Sequence, residues 1–319
     1  MRVGVIGTGF GRRIVAPVFS ETEGCEVVGL VSPRDEAAVK ELCARDDVDL
    51  ISVHSPPFLH AANVRTALAH GRAVLCDKPF AMNAEEARSL LDEATAARVI
   101  HLLNFEFRRH PARRKARELV RSGIVGEIEH VSWLSYSAGS RRPLRRFGWL
   151  FQRETGGGWV GAWASHAIDC LRWIFGEITD AQASLRIGVR ERPDREGVMH
   201  PCDAEDGFTA SFTLASGTTA SIDTTFVAPV DMPSRMTILG SEGAIEWVGD
   251  HHITVRRGDG TREQIELDPP TEPDPHLVPM RAWAADVRDA VRERRQIDPS
   301  FADGLACDLV LDMLRAGSR

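Results

Sequence analysis

The chain lacks a surplus of basic residues, a long apolar run, a cysteine framework and an internal repeat. Lys and Arg total 39 against 46 for Asp and Glu, a formal net charge of −7, so the polycationic footprint of a nucleic-acid reader is missing. No uninterrupted apolar stretch approaches the roughly 20 residues that span a bilayer. The first strand pattern begins almost at Met1, which leaves no room for a cleavable leader. The expectation is a soluble, cytoplasmic protein with neither nucleic acid nor membrane as partner. The six cysteines, Cys25, Cys43, Cys76, Cys170, Cys202 and Cys307, are scattered, with no Cys-x-x-Cys spacing and no histidine at finger spacing. They read as reduced core thiols, and no metal site is expected.

What is present is 319 residues, 43% of them hydrophobic, enough for two domains each with a core. Val3 to Ile6 is a short apolar run ending in Gly7-Thr8-Gly9-Phe10-Gly11-Arg12, and Ile14 to Phe19 follows with helical spacing. Further strand patterns at Glu26 to Val31, Asp49 to Val53, Ala73 to Cys76 and Val99 to Leu103 alternate with helical ones at Asp35 to Ala44, Ala61 to Ala69 and Ala84 to Ala97. Such alternation demands crossover connections and therefore parallel pairing. After a helical stretch from Pro111 to Arg121 the texture changes to period-two segments: Glu129 to Trp133, Ser184 to Val189, Gly207 to Leu214, Thr218 to Phe226, Met236 to Leu239 and Ala244 to Trp247. Helical patterns stand at Ser165 to Ile174, Pro279 to Arg294 and Phe301 to Leu314, while Glu191 to His200 and Asp268 to Pro275 read as surface loops. The fold class expected is α/β: a Rossmann-type doubly wound parallel sheet over residues 1–118, then an α+β domain with a largely antiparallel open sheet over residues 119–319. The terminal helices of the second part are placed to pack back on the first.

A glycine turn between a buried strand and a helix aims backbone N–H groups and the positive helix end at a pyrophosphate, and a Cβ would block that approach. Gly7, Thr8, Gly9, Phe10, Gly11 and Arg12 are therefore candidate cofactor contacts, although Arg12 stands where Gly or Ala is usual. At the end of the second strand an acid would bond the ribose 2′-hydroxyl and repel a 2′-phosphate. Ser32-Pro33-Arg34 occupies that place. Serine and a bidentate guanidinium suit a phosphate, so NADP(H) is favoured over NAD(H). The alternative is a solvated Arg34, with Asp35 serving the hydroxyl. Asp77-Lys78-Pro79 closes the strand Ala73 to Cys76, so Lys78 leaves the carboxyl edge of a parallel sheet, where ligands of such folds collect. Its ammonium can polarise a hydroxyl or oxo oxygen as hydride leaves or arrives. His166 precedes Asp169 by about one helical turn, so the carboxylate is placed to orient the ring, and an imidazole suits removal of a hydroxyl proton. The alternative there is a histidine satisfied within the helix core.

Taken together, Gly7 to Arg12, Asp47 to Pro56 with His60, Gly71 through Asp77-Lys78-Pro79, and Gly156-Gly157-Gly158 with His166 and Asp169 resemble the Gfo/Idh/MocA oxidoreductase family. The likeness runs over essentially the whole chain. It implies a dinucleotide domain followed by a substrate and oligomerisation domain. It implies Lys78 and His166 as the catalytic pair, and Ser55, Pro56, His60, Asp77 and Asn104 along the cofactor, with Asn104 reaching the nicotinamide ribose; for His60 a cap on the helix that begins at Ala61 is the equal alternative. Two departures stand out. The aspartate that sugar and polyol dehydrogenases of the family carry four residues before the histidine is Ala162, and bulky Trp159 and Trp163 flank the segment. Between Ser32 and Asp49 there is room for one helix where the family fits a further strand and a second helix.

The function expected is transfer of a hydride between nicotinamide and a hydroxyl or oxo carbon of a sugar-like or cyclic polyol-like substrate. Lys78, Trp163, His166 and Asp169 line the substrate site in this expectation, and the protein is a homodimer or homotetramer. The alternatives are a dinucleotide-binding sensor, which Ala162 motivates, and a redox-assisted glycosidase. Arg141, Arg142, Arg145 and Arg146 form a basic cluster, either a solvated face or a hold for an acidic group, with Trp149 beside it able to stack on a ring. Trp133, Trp173, Trp247 and Trp283 are expected to pack.

Overall fold

The computed structural model describes every residue except Asp250, Pro269, Pro270, Thr271, Pro273, Ser318 and Arg319. The chain divides into two compact units: Met1–Arg109 with Asp274–Leu309, and His110–Pro273 with Val310–Arg319. The sequence suggested a division at residue 118. The division found lies before the helix Pro111–Arg121, and the first unit recovers a segment from far down the chain.

In the first unit five short strands, β1 (Arg2–Ile6), β2 (Glu26–Val31), β3 (Leu50–Val53), β4 (Ala73–Cys76) and β5 (His101–Leu103), form a parallel sheet in the order β2-β1-β3-β4-β5. Helices α1 (Ala16–Glu21), α2 (Glu36–Ala44), α3 (His60–Ala69) and α4 (Ala84–Ala97) make the crossovers. A turn with i to i+5 bonding, Gly11–Val15, opens α1, with the Ala16 N–H donating to the Gly11 carbonyl. A single helix joins β2 to β3, as the short Ser32 to Asp49 interval requires. The strand order reverses between β1 and β3, and in open α/β sheets ligands bind outside the carboxyl ends at such a switch.

The second unit holds α5 (Pro111–Arg121), β6 (Ile128–Tyr136), α6 (Ser165–Phe175), β7 (Ile178–Arg186), β8 (Glu191–Pro193), β9 (Met199–Pro201), β10 (Gly207–Leu214), β11 (Thr219–Thr225), β12 (Arg235–Gly240), β13 (Gly243–Val248), β14 (His252–Arg257) and β15 (Arg262–Glu266). Eight of these strands form one sheet, ordered β15-β14-β13-β12-β6-β11-β10-β7, antiparallel except where β6 pairs with β11. Helix α5 packs on β13 and β14, and α6 packs on α5. On the opposite face alternate residues such as Leu134 and Leu239 are exposed. Two long helices, α7 (Leu277–Glu293) and α8 (Phe301–Ala316), end the chain. No helix among the described residues is long and apolar enough to cross a membrane.

Two expectations need correction. Glu191 to His200 is not a plain loop: β8 and β9 form a hairpin there, because Arg192 is fully buried with its guanidinium 4.0 Å over the Phe151 ring. The pair β14 and β15 was not foreseen, since charged residues outnumber its apolar alternates. Of the loop expected at Asp268 to Pro275, Pro269, Pro270, Thr271 and Pro273 lie outside the described residues.

Candidate active site

The glycine turn leaves β1 at the switch point. At Gly7 a Cβ would stand 2.5 Å from the His54 carbonyl oxygen, so only glycine lets the β1 and β3 exits run this close. Gly11 is less tight, with a Cβ there 3.1 Å from Val5 and 3.2 Å from the His54 side chain. Gly9 differs: a Cβ there meets no protein atom within 4 Å. What its missing side chain keeps clear is approach from outside, a cradle that fits a pyrophosphate under the N–H groups of the turn. Thr8, Gly9 and Arg12 are exposed, and Phe10 is half-buried with its ring 5.8 Å from that of His54.

At the exits of β3 and β4 a charged network forms. His54 is buried; Ser52 Oγ stands 2.7 Å from its Nε2, and Asp77 Oδ2 lies 3.2 Å from its Nδ1. A carboxylate can only accept, so the ring donates to it through Nδ1–H. The other Asp77 oxygen accepts from the Lys78 backbone N–H at 2.9 Å and from Asn104 Nδ2 at 3.4 Å. Burial pushes the Asp77 carboxyl up, but the hydrogen bond and charge of His54, joined by Lys78 and His60, prevail and hold it far below the usual carboxylate range. Lys78 is half-exposed at this edge, and its peptide bond to Pro79 is cis.

His60 is placed differently from the expectation that put it along the cofactor. It is fully buried, with Nδ1 3.0 Å from the Pro79 carbonyl and 3.2 Å from that of Phe80, and Nε2 2.8 Å from that of Ser55. Burial lowers its pKa despite these acceptors. It ties the Ser55-Pro56 turn to the Lys78-Pro79 turn and presents nothing to a ligand. Ser55 is buried and Pro56 half-buried, and Ser55 Oγ accepts from Asn63 at 3.4 Å. Asn104, expected at the ribose, is 1% exposed and spends its amide on Asp77.

At the end of β2, Ser32 Oγ accepts from the Arg34 N–H at 3.4 Å, and Asp35 caps α2 by accepting from Ala38 N at 3.0 Å. Arg34 is exposed, 5.3 Å over the Phe58 ring.

In the second unit His166 and Asp169 are both buried on α6. The His166 carbonyl accepts from Arg113, whose guanidinium lies 5.6 Å over Trp133. Trp163 meets Trp133 edge-on at 5.2 Å and stacks on Trp159, which stacks in turn on Phe226 at 4.2 Å. Ala162 and Trp149 pack against an apolar cluster of Leu150, Phe151, Cys202 and Phe226, so Trp149 is a packing residue. Among the four exposed arginines of the preceding loop, Arg141 donates to the Val227 carbonyl. The glycines before His166 answer to packing: a Cβ at Gly157 would lie 2.4 to 2.6 Å from three carbonyl oxygens, and one at Gly158, whose φ is +104°, would strike the Glu205 carboxylate. Burial pushes the Glu205 carboxyl up; its Oε1 accepts from the Val160 N–H at 3.0 Å.

Two residues with no role in the sequence reading complete the first unit's edge. Glu106, 1% exposed in the turn after β5, accepts from His276 Nδ1 at 2.5 Å. They lie 170 positions apart, beyond any local pattern.

Comparisons with known proteins agree with this architecture. Residues 1–105 match the profile of an oxidoreductase family with an NAD-binding Rossmann fold, and residues 113–246 match the GFO/IDH/MocA C-terminal domain. An uncharacterised oxidoreductase of Synechocystis sp. is 30% identical, covering 99% of this chain and 93% of its own. Levoglucosan dehydrogenase of Pseudarthrobacter phenanthrenivorans is 26% identical over 84% of this chain and 77% of its own. A solved levoglucosan dehydrogenase complex with NADH superposes with a TM-score of 0.86 at 22% identity, covering 100% of this chain and 96% of that one.

Proposed function

The chain belongs to the Gfo/Idh/MocA family of NAD-binding oxidoreductases, and on that footing we propose that it transfers a hydride between a nicotinamide dinucleotide and a hydroxyl- or oxo-bearing carbon of a sugar-like or cyclic polyol-like substrate. The names of similar proteins, levoglucosan dehydrogenase and 1,5-anhydro-D-fructose reductase, support the substrate class. The observation that carries the reading is the Asp77–Lys78 pair at the carboxyl edge of the parallel sheet, anchored by His54 and Asn104 beside the open face of Gly9.

Bound dinucleotide supplies or takes hydride at C4 of its nicotinamide. The Lys78 ammonium donates to the substrate oxygen and draws electron density toward it. In the oxidising direction the C–H pair leaves as hydride, the O–H proton passes to His166, and the carbonyl forms; reduction runs the same exchange backwards. Asp169 holds the imidazole, and Trp163 shapes the pocket. No carboxylate stands at Ala162, whose methyl fills an apolar cluster.

NADP(H) is preferred in this reading. Asp35 is committed to capping α2, while the exposed guanidinium of Arg34 has the reach for a 2′-phosphate. Solved relatives are complexes with NADH or NAD, and the proposed preference sets this chain apart from them. The assembly proposed is a homodimer or homotetramer formed through the uncovered face of the eight-stranded sheet, working in the cytoplasm, where its six free cysteines stay reduced.

The test is a panel of levoglucosan, glucose and inositol offered with NAD+ or NADP+, read at the reduced-nicotinamide absorbance. A rising band with at least one sugar, faster with NADP+, is expected. Tight dinucleotide binding with no absorbance change would replace the enzyme by a sensor. Product formed while the cofactor returns to its starting redox state would indicate redox-assisted cleavage. Tighter binding of NADH than NADPH would overturn the nucleotide preference alone.

A further inference from the structure

Within the second unit, the helix that carries His166 begins in an unusual way. Val160–Ala164, directly before α6, is a turn with i to i+5 bonding, and it has no acidic residue in its first turn and no side-chain cap from the residue that opens it. Such a turn holds one residue more than an α turn. The side chains before and after it are therefore turned by about 100° relative to each other, one residue's share of a 3.6-residue turn. Trp163 lies inside this turn and His166 just beyond it, so the directions of both depend on the turn being kept.

What holds the turn comes from 45 positions down the chain. The Glu205 carbonyl accepts from the Trp159 N–H at 2.8 Å, and Glu205 Oε1 accepts from the Val160 N–H at 3.0 Å. One residue thus answers two of the N–H groups that a helix start leaves without partners. The fit is close, since a Cβ at Gly158 would strike the Glu205 carboxyl. The next residue is fixed to the sheet: the Asp206 N–H donates to the Arg186 carbonyl at 3.0 Å, and its carboxylate accepts from the N–H groups of Gly188 and Val189 at 2.7 and 2.8 Å. Glu205 is 5% exposed, and no ion pair reaches it among the described residues. A carboxyl so enclosed costs stability. Its oxygen at the Val160 N–H, which accepts in either protonation state, is what that cost secures.

We infer that Glu205 is a positioning residue of the reaction, a role that rests on the oxidoreductase reading above. Glu205 itself touches neither substrate nor dinucleotide. By tying the Trp159 and Val160 N–H groups to the start of β10 it keeps the i to i+5 turn, and the turn sets the direction in which His166 exchanges its proton.

Three variants separate the accepting oxygen from charge and bulk. Glu205→Gln keeps an oxygen for the Val160 N–H, Glu205→Asp keeps the carboxyl but withdraws it by one methylene, and Glu205→Met fills the space with no acceptor. With levoglucosan, or another panel sugar the wild type oxidises, kcat is expected within about threefold of wild type for Gln and about 100-fold down for Met, with Asp between them. The dissociation constant of reduced dinucleotide should stay within about twofold in all three. In a His166→Gln background Glu205→Met should lower kcat by less than about threefold further, because its effect passes through the imidazole. A crystal structure of Glu205→Met should show residues 160–164 in ordinary α-helical bonding, with the Trp163 ring moved from its stack on Trp159. Wild-type turnover in the Met variant, an Asp variant faster than Gln, an undiminished loss in the His166→Gln background, or an unaltered turn in the Met crystal would each reject the inference while the oxidoreductase reading stands. Should the Met variant not fold, the order of Asp and Gln, with Asp repeated in the His166→Gln background, decides. A wild type that binds dinucleotide yet oxidises no panel sugar would defeat both.

Discussion

Asp77 owes its charge to His54. Alone, a carboxyl so enclosed would be pushed toward neutrality, but the Nδ1–H of a buried ring and the adjacent Lys78 reverse the balance. The stability that follows from this lowered pKa is complete above the unfolded carboxyl value near pH 4 and drains away as pH falls through the folded value. Asp77→Asn should therefore flatten the acid limb of a stability-against-pH curve measured by urea unfolding; an unchanged acid limb would contradict the network. Residues in this layer were legible in proportion to how local their signal is. Lys78 stands out because a Lys-Pro pair closes a strand pattern, and Gly7 to Gly11 because the cluster sits between strand and helix. His60 was misplaced because its neighbours in sequence say nothing of the Pro79 and Phe80 carbonyls that enclose it. Glu106 and His276 carry no motif and meet only after folding.

Among elements, boundaries followed the hydrophobic period closely where one face is buried. Helix α5 and strand β10 fall on their expected limits, because alternation or helical spacing was complete over their whole length. Strands β14 and β15 were missed because Ile253, Val255 and Ile265 are separated by charged or exposed residues, leaving too short a pattern to separate from a loop. In the segment leading into α6, whose glycines belong to the family likeness, local structure also requires them: Gly156 has a left-handed φ of 73°, Gly157 faces three carbonyls, and Gly158 lies against Glu205. Gly158→Ala must take a strained φ and displace a buried carboxylate, a loss of about 2–4 kcal/mol. Chemical denaturation should show it, and a midpoint equal to wild type would refute the packing account.

For the whole molecule, the two-part organisation was visible in the change from strand-helix alternation to period-two strands, but chain order concealed that the first unit is discontinuous. Met280, Trp283, Ala284 and Val287 of α7 belong to the same buried cluster as Val3, Val5, Val15 and Phe19. The helix that completes the nucleotide-binding core is thus encoded some 170 residues after the rest. Trp283→Ala should cost about 3–5 kcal/mol and weaken dinucleotide binding along with folding; a variant with wild-type melting would show that this core closes without α7. Turnover by the Lys78→Met variant bears most directly on the central claim, that the lysine at the carboxyl edge of the first sheet drives hydride transfer. The account predicts a folded protein that binds reduced dinucleotide as the wild type does, with kcat down by about 1,000-fold. Sugar oxidation at the wild-type rate in that variant would contradict it.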